Sequence, residues 1–136
     1  MTEMITNMQD TTGKSNTTTT RTIHDAWLDT LINDGGTFDA QTFAPVVYDT
    51  GYIVSIREHG SAYVMDATEA WLASLWQDSG LVGTWVDRDT ALMYVDSVIH
   101  TPYDVIARDL QALGAQVSVW DCSRKCAVDL LSDKDV

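Results

Sequence analysis

Three stretches of helical periodicity, each followed by two strand-like runs around a turn, recur along this chain and limit what it can fold into. Apolar residues at helical spacing follow Thr22, Asp66 and Thr101, and a glycine lies after each stretch. Turn-forming residues separate the paired strand-like runs at 58–61, 87–90 and 122–125. Because tight turns join antiparallel strands, the sequence predicts an α+β fold: an antiparallel sheet built from hairpins, with about three helices packed on one face.

The third helix can be predicted in most detail. Thr101 has the chemistry of an N-cap, Pro102 that of a first helical residue, and Gly114 that of a helix end. Its predicted buried face consists of the large apolar residues Val105, Ile106, Leu110 and Leu113.

The chain is long enough for one domain with its own core. Residues 1–20 are polar, rich in threonine and without periodicity, so we expect a disordered N-terminal tail followed by a single α+β domain over residues 21–136. A short β-arm ordered by a partner is the alternative for the tail. No apolar run reaches the roughly 18 residues of a membrane span, and no signal-peptide core is present. With two cysteines, the expected location is the cytoplasm.

The acidic residues are almost all aspartates. Seventeen of the twenty acids are Asp and three are Glu, and the net charge is -12. Aspartate favours turns, caps and strand ends, so we expect the charge on loops around the body of the domain. This charge argues against nucleic acid or an anionic membrane as a direct partner. It allows a local acidic patch that occupies the basic nucleic-acid groove of another protein.

No catalytic or metal-binding motif is recognisable. The three histidines, His24, His59 and His100, are isolated from one another and have no ligand spacing. Cys122 and Cys126 are separated by three residues across a predicted turn, which leaves two free thiols or a hairpin-closing disulfide as alternatives. No glycine-rich phosphate loop precedes a helix. We therefore expect no enzymatic activity, metal or cofactor.

The five tryptophans suggest both a core and a contact surface. Trp27 and Trp71 lie on apolar helix faces, where core positions are expected. Trp85 and Trp120 lie in strands whose pattern does not decide which face they occupy. Trp76 lies at a helix end beside polar residues, where a partly exposed ring is expected. Exposed aromatic rings surrounded by acids are typical of protein-binding surfaces.

Four segments, residues 51–56, 83–87, 94–97 and 112–121, carry the motifs G-Y-x-V-S, G-x-W-x-D, Y-x-D and Q-x-x-x-W-D in this order. In these motifs the chain resembles small acidic accessory proteins of phages and mobile elements of actinobacteria. That resemblance implies an inhibitor of host defence. Residues 81–87 are also similar to the glycine-tryptophan turn of antirestriction proteins that imitate DNA, a second and weaker resemblance.

We hypothesise a phage or mobile-element inhibitor of a host nucleic-acid-handling defence system, of the anti-CRISPR or antirestriction type. It would bind the host protein stoichiometrically in the host cytoplasm and occlude a basic groove, with carboxylates in place of phosphates and an aromatic anchor. The predicted partner-binding residues, placed at turns or helix ends, are Asp87, Asp89, Asp78, Glu58 and Trp76.

Two alternatives belong to other functional classes. A small enzyme could use Asp96, Asp104 or His100 if these side chains converge in one pocket. A structural or assembly protein of a mobile element could oligomerise through an exposed sheet edge. The sequence leaves the oligomeric state open.

Overall fold

The computed structural model describes residues 20–132 and 134–135. The helices in this part are α1 (Ile23–Asn33), α2 (Glu69–Leu75) and α3 (Asp104–Leu113). The strands are β1 (Gly35–Asp39), β2 (Tyr52–Tyr63), β3 (Leu81–Asp87), β4 (Leu92–Thr101), β5 (Val119–Asp121), β6 (Cys126–Asp129) and β7 (Lys134–Asp135). They form one sheet in the order β1-β3-β4-β2-β5-β6-β7, and all neighbours are antiparallel. The predicted α+β class is confirmed. The tail predicted for residues 1–20 lies outside the described residues, apart from Thr20.

The first predicted hairpin is wrong, because residues 52–63 form one long strand, β2. This strand pairs with β4 along its whole length, and the register shifts between Ser55 and Arg57 and again between Glu58 and Gly60. A β-carbon on Gly60 would lie 2.7 Å from Leu75 Cδ1, so the glycine lets α2 approach the strand. The turn-like residues 58–61 therefore mark an irregularity within a strand rather than a chain reversal. The turns at 87–90 and 122–125 do join antiparallel strands, as predicted.

All three helices pack on the same face of the sheet, which we call the helix-covered face. Thr30 of α1 shares a 2.7 Å hydrogen bond with Thr84 of β3. Leu72 of α2 belongs to a buried cluster with the strand residues Val82 and Val95. Under α3 lies a second buried cluster, made of Val54, Ala107, Val119 and Val128. The register places all of these strand residues on one side of the sheet. The prediction of helices on one face is confirmed.

The start and the buried face of α3 differ from the prediction. Thr101 is the buried last residue of β4, and the N-cap of the helix is Tyr103. The residues buried between α3 and the sheet are Ala107 and Gln111, whereas Val105 and Leu113 are 61% and 84% exposed. Of the predicted face, Ile106 is also exposed and Leu110 is partly buried. Gly114 ends the helix as predicted, and its N–H donates to the Leu110 carbonyl at 3.0 Å.

Gln111 explains why α3 presents this face. Its amide nitrogen donates to the carbonyls of Gln116 and Val117, each at 3.1 Å, and to Asp129 Oδ1 at 2.9 Å. Its amide oxygen accepts from the Leu130 N–H at 3.0 Å. A buried leucine at this position would leave those backbone groups without partners. Hydrogen-bond satisfaction therefore decides the orientation of the helix here.

The helices α1 and α2 begin close to where the sequence predicts. The Thr22 N–H donates to Asp25 Oδ2 at 2.9 Å at the start of α1. The Thr68 hydroxyl accepts from the Trp71 N–H at 3.1 Å and caps α2. Helix α2 ends at Leu75, before the expected glycine. None of the helices in the described part of the chain is long and apolar enough to span a membrane.

Candidate functional site

The face of the sheet opposite the helices, which we call the open face, contains a cavity of about 810 Å³. Side chains from the middle of the sheet form its floor and walls: Ile53, Ser55, Trp85, Tyr94, Asp96 and Val98. Residues 45–48 and 115–118 and β5 also line it. Residues of six strands, β1 to β6, and of the segments that connect them therefore line one concavity, which we call the open-face cavity.

Small residues keep the centre of this face unfilled. A β-carbon on Gly83 would lie 2.7 Å from Val98 Cγ1, so no larger side chain fits there without displacing Val98. Ser55 of β2 lies directly across from Val98 of β4. Below them, Ile53, Val98 and Cys122 form a buried apolar cluster. The cavity therefore has an apolar base and a narrow polar centre.

Five aromatic residues line the open-face cavity: Phe38, Tyr48, Trp85, Tyr94 and Trp120. Trp85 of β3 and Tyr94 of β4 lie directly across from each other, and their rings stack at a centroid distance of 5.7 Å and an angle of 26°. Trp120 of β5 lies across from Ile53 of β2. The side chains of Trp85 and Trp120 remain 48% and 45% exposed. Both tryptophans whose face the sequence left undecided thus lie on the open face.

A partly buried carboxyl group, that of Asp96, lines the cavity. Burial raises the pKa of Asp96 to about 6, with a further rise from the charge of Glu58 and an opposing effect of the Ser55 hydroxyl. The Ser55 hydroxyl is thus near the carboxyl group, yet neither Ser55 Oγ nor Asp96 Oδ1 makes a hydrogen bond of acceptable geometry.

The acids that line the cavity differ in whether a cation pairs with them. Of the acids that line it, Asp29 pairs with Arg21 at 2.6 Å and Asp34 pairs with Arg88. Among the described residues, no cation pairs with either of the other two lining acids, Glu58 and Asp96, and the lining residue of positive charge is Lys125. The centre of the cavity therefore carries a negative potential.

The structure does not bring the five predicted partner-binding residues together. Asp87 ends β3 and Asp89 lies in the turn that follows, where its N–H donates to Asp87 Oδ1 at 2.9 Å. Asp78 lies in the loop before β3, at the other end of that strand. Glu58 lies within β2 and lines the cavity, so its predicted position in a turn is wrong.

The ring of Trp76 is engaged within the domain. Its indole nitrogen donates to the Ala40 carbonyl at 2.8 Å. Its ring centroid lies 6.0 Å from that of Phe38 and 5.3 Å from that of Phe43. These contacts fix Trp76 between α2 and β1 and leave it partly buried. Trp27 and Trp71 also pack partly buried against the core cluster of α2.

The residues of the enzymatic alternative do not share the cavity. Asp96 lines it, but neither His100 nor Asp104 does. The His100 ring stacks on Tyr48 at 3.8 Å, and its Nε2 bonds to the Thr50 carbonyl at 2.8 Å. Asp104 lies exposed in the first turn of α3. The predicted convergence of the three side chains is therefore absent.

The remaining histidines and the cysteines have local roles. His24 contacts Glu69 at 2.5 Å, and His59 contacts the Ser97 hydroxyl at 2.6 Å in a setting whose burial lowers the His59 pKa. Both cysteines are free thiols, and burial raises the pKa of Cys122. Within the described residues, no group of three or more His, Cys, Asp and Glu side chains could hold a metal ion.

Sequence reasoning missed the cavity and the roles of Ser55 and Tyr94 in it. The signal that could have found them is the alternation in β4, where Met93 and Val95 are fully buried while Tyr94 and Asp96 point to the other face.

No protein-family model, curated protein or solved structure matches this chain.

Proposed function

We propose that the protein is a stoichiometric inhibitor of a host nucleic-acid-handling defence protein, of the anti-CRISPR or antirestriction type. The observation that carries the proposal is the placement of Trp85. This half-exposed ring, stacked on Tyr94, lies on the open face two residues before the turn that contains Asp87 and Asp89. An exposed aromatic anchor beside acids has the composition of a protein-binding surface.

The acidic turn is available for a basic partner. Arg88 lies between the two aspartates in the sequence, but its guanidinium pairs with Asp34. Asp89 is exposed and Asp87 is half-buried. Their carboxylates can therefore meet Lys or Arg side chains that would otherwise contact phosphates, and Trp85 supplies the desolvated contact. The net charge of -12 would speed the encounter with a basic surface.

The structure narrows the surface that we propose. Trp76 is held by Ala40 and two phenylalanine rings, so Trp85 takes its place as the aromatic anchor. Asp78 lies at the far end of β3 and is not part of the proposed contact. That the partner is a defence protein rests on the sequence resemblance to small acidic proteins of mobile elements.

Phage plating on host cells tests the function. Cells that carry a CRISPR or a restriction system would be compared with and without the gene, and we expect the gene to restore plating of targeted phage. Trp85→Ala and the Asp87→Asn/Asp89→Asn double variant should lose most of this effect. The matched control is Asp104→Asn/Asp109→Asn, which removes two exposed acids from α3 on the other side of the sheet. Absence of any effect across such hosts, or full activity of Trp85→Ala, would contradict the proposal.

The assembly alternative has less support. The segment that follows β1 covers its outer edge at residues 37–39, where the Asp39 N–H donates to the Ala44 carbonyl at 2.9 Å and the Val46 N–H to the Thr37 carbonyl at 2.8 Å. A covered edge does not recruit a further strand. Light scattering at micromolar concentration distinguishes the two, since assembly through sheet edges requires an oligomer.

A further inference from the structure

The open-face cavity has the size and lining of a small-molecule site. Its volume of about 810 Å³ lies within the roughly 300–1,000 Å³ of typical ligand pockets. Such pockets combine apolar and aromatic walls with a few polar groups at fixed positions. Here Trp85, Tyr94 and Trp120 provide the walls, and Ser55 and Asp96 provide the polar groups.

The carboxyl group of Asp96 is the polar group that a ligand in the cavity can reach. Asp96 Oδ1 and Ser55 Oγ are closed to solvent, and the Ser55 hydroxyl lies close enough to oppose the rise in the Asp96 pKa. Asp96 as a whole is only partly buried. A carboxylate only accepts hydrogen bonds, so a ligand group that meets it must be a donor.

The charge of the site selects a cation over an anion. Asp96 and Glu58 have no cationic partner among the described residues, and burial strengthens the field of Asp96 because solvent screens it poorly. The aromatic faces point to the same sign of charge, since indole and phenol rings attract cations through their π electrons.

We propose that the open-face cavity binds a small organic cation, a primary ammonium on an aromatic or bulky apolar body. The ammonium group donates a hydrogen bond to the Asp96 carboxylate, and the apolar body lies against Trp85, which neighbours Asp96 on the same face of the sheet. This site goes beyond the proposed inhibition of a partner protein, because it requires neither Asp87 nor Asp89.

Phenethylamine and its neutral isostere phenethyl alcohol test the proposal. At about pH 8, where both Asp96 and the amine are charged, calorimetry or tryptophan fluorescence should show saturable binding of the amine and at least about tenfold weaker binding of the alcohol. Asp96→Asn should weaken amine binding by about tenfold or more, and Ser55→Ala should weaken it less. Asp104→Asn, which removes an exposed carboxylate from the other side of the sheet, is the matched control and should bind the amine as the parent does.

Circular dichroism of Asp96→Asn establishes that the variant is folded. Glu58→Gln removes one negative charge from the lining of the cavity, as Asp96→Asn does, but at a different residue. The proposal is overturned if the amine does not bind saturably, if the alcohol binds equally well, or if Asp96→Asn retains full affinity. The Asp87→Asn/Asp89→Asn variant separates the two proposals. It should keep amine binding whether or not it has lost the ability to inhibit.

Discussion

The two faces of the sheet are formed by alternating residues of the same strands, but they differ in how deeply their side chains are buried and in how their polar groups are paired. In β4, Met93 and Val95 are fully buried beneath helices, while Tyr94 and Asp96 line a cavity on the other side. The helix-covered face satisfies its few polar groups internally, as Gln111 does with four hydrogen bonds. The open face has a smaller buried cluster, made of Ile53, Val98 and Cys122, and leaves Trp85 and Trp120 about half exposed. The helix-covered face therefore contains most of the core, and the open face is the one for which we propose binding.

The largest expected effect follows from Leu72 on the helix-covered face. This side chain is fully buried against Val82 and Val95, so Leu72→Ala should lower the free energy of unfolding by about 3–4 kcal/mol. Chemical denaturation followed by circular dichroism measures the change. The matched variant on the open face is Trp85→Ala, which removes a larger but half-exposed side chain and should cost no more than about 1.5 kcal/mol. Equal losses in the two variants would contradict the division between the faces.

Gln111 provides the next largest effect. Gln111→Leu keeps the volume of the side chain but removes the partners of three carbonyl or carboxylate oxygens and one backbone N–H. We expect the free energy of unfolding to fall by about 2–3 kcal/mol, as for a buried polar group left unpaired. Gln116→Leu is the control, since that side chain bonds only to the nearby Gly114 carbonyl at 3.2 Å. A stabilised Gln111→Leu variant would show that apolar packing, and not hydrogen bonding, orients α3.

The same comparison shows how far the sequence predicts the fold. Turn chemistry with aspartate and tight spacing located the hairpin between β3 and β4, and periodicity located α1. Glycine and histidine at 59–60 have the chemistry of a turn, but the long pairing of β2 with β4 accommodates them as an irregularity in the strand. That pairing joins residues about 30 to 50 positions apart, which local patterns do not encode.

The sequence indicates individual residues of the candidate site but not the cavity that these residues form together. The apolar residues Val105 and Leu113 lie at helical spacing, yet Ala107 and Gln111 take the buried positions because a close approach and four hydrogen bonds favour them. In β3, apolar residues occur on both faces, so the pattern could not place Trp85. The cavity itself depends on the order of six strands, and therefore on pairings that are distant in sequence.

Asp96 should give a smaller effect of opposite sign. Its pKa of about 6 exceeds the ordinary 3.8, so between these values the folded state holds the proton more tightly than the unfolded state. The carboxyl group therefore destabilises the fold progressively as the pH rises from about 4 to about 6, and fully above that range. Because the group is only partly shielded from solvent, we expect Asp96→Asn to stabilise the protein by roughly 1–2 kcal/mol at neutral pH. The gain should vanish near pH 4.

Thermal or chemical unfolding of both proteins across this pH range measures the difference. Asp104→Asn, exposed on α3, should show no such pH-dependent gain. A stability difference between Asp96→Asn and its parent that does not change with pH would mean that the pKa of Asp96 is the same in the folded and the unfolded protein.

The smallest effect on stability, and the sharpest test of the open face, comes from the acidic turn. Asp87→Asn/Asp89→Asn changes a surface turn and should alter the free energy of unfolding by no more than about 0.5 kcal/mol. Its effect should appear instead in the rate of association with the partner, which we expect to fall several-fold and to lose much of its dependence on ionic strength, because salt screens exposed charges beyond about 8 Å. Stopped-flow or surface-plasmon measurements at two salt concentrations would resolve this. If association of the parent protein is insensitive to salt and the double variant associates at the same rate, the charge serves solubility, and occlusion of a basic groove is the wrong mechanism even where a partner binds through Trp85.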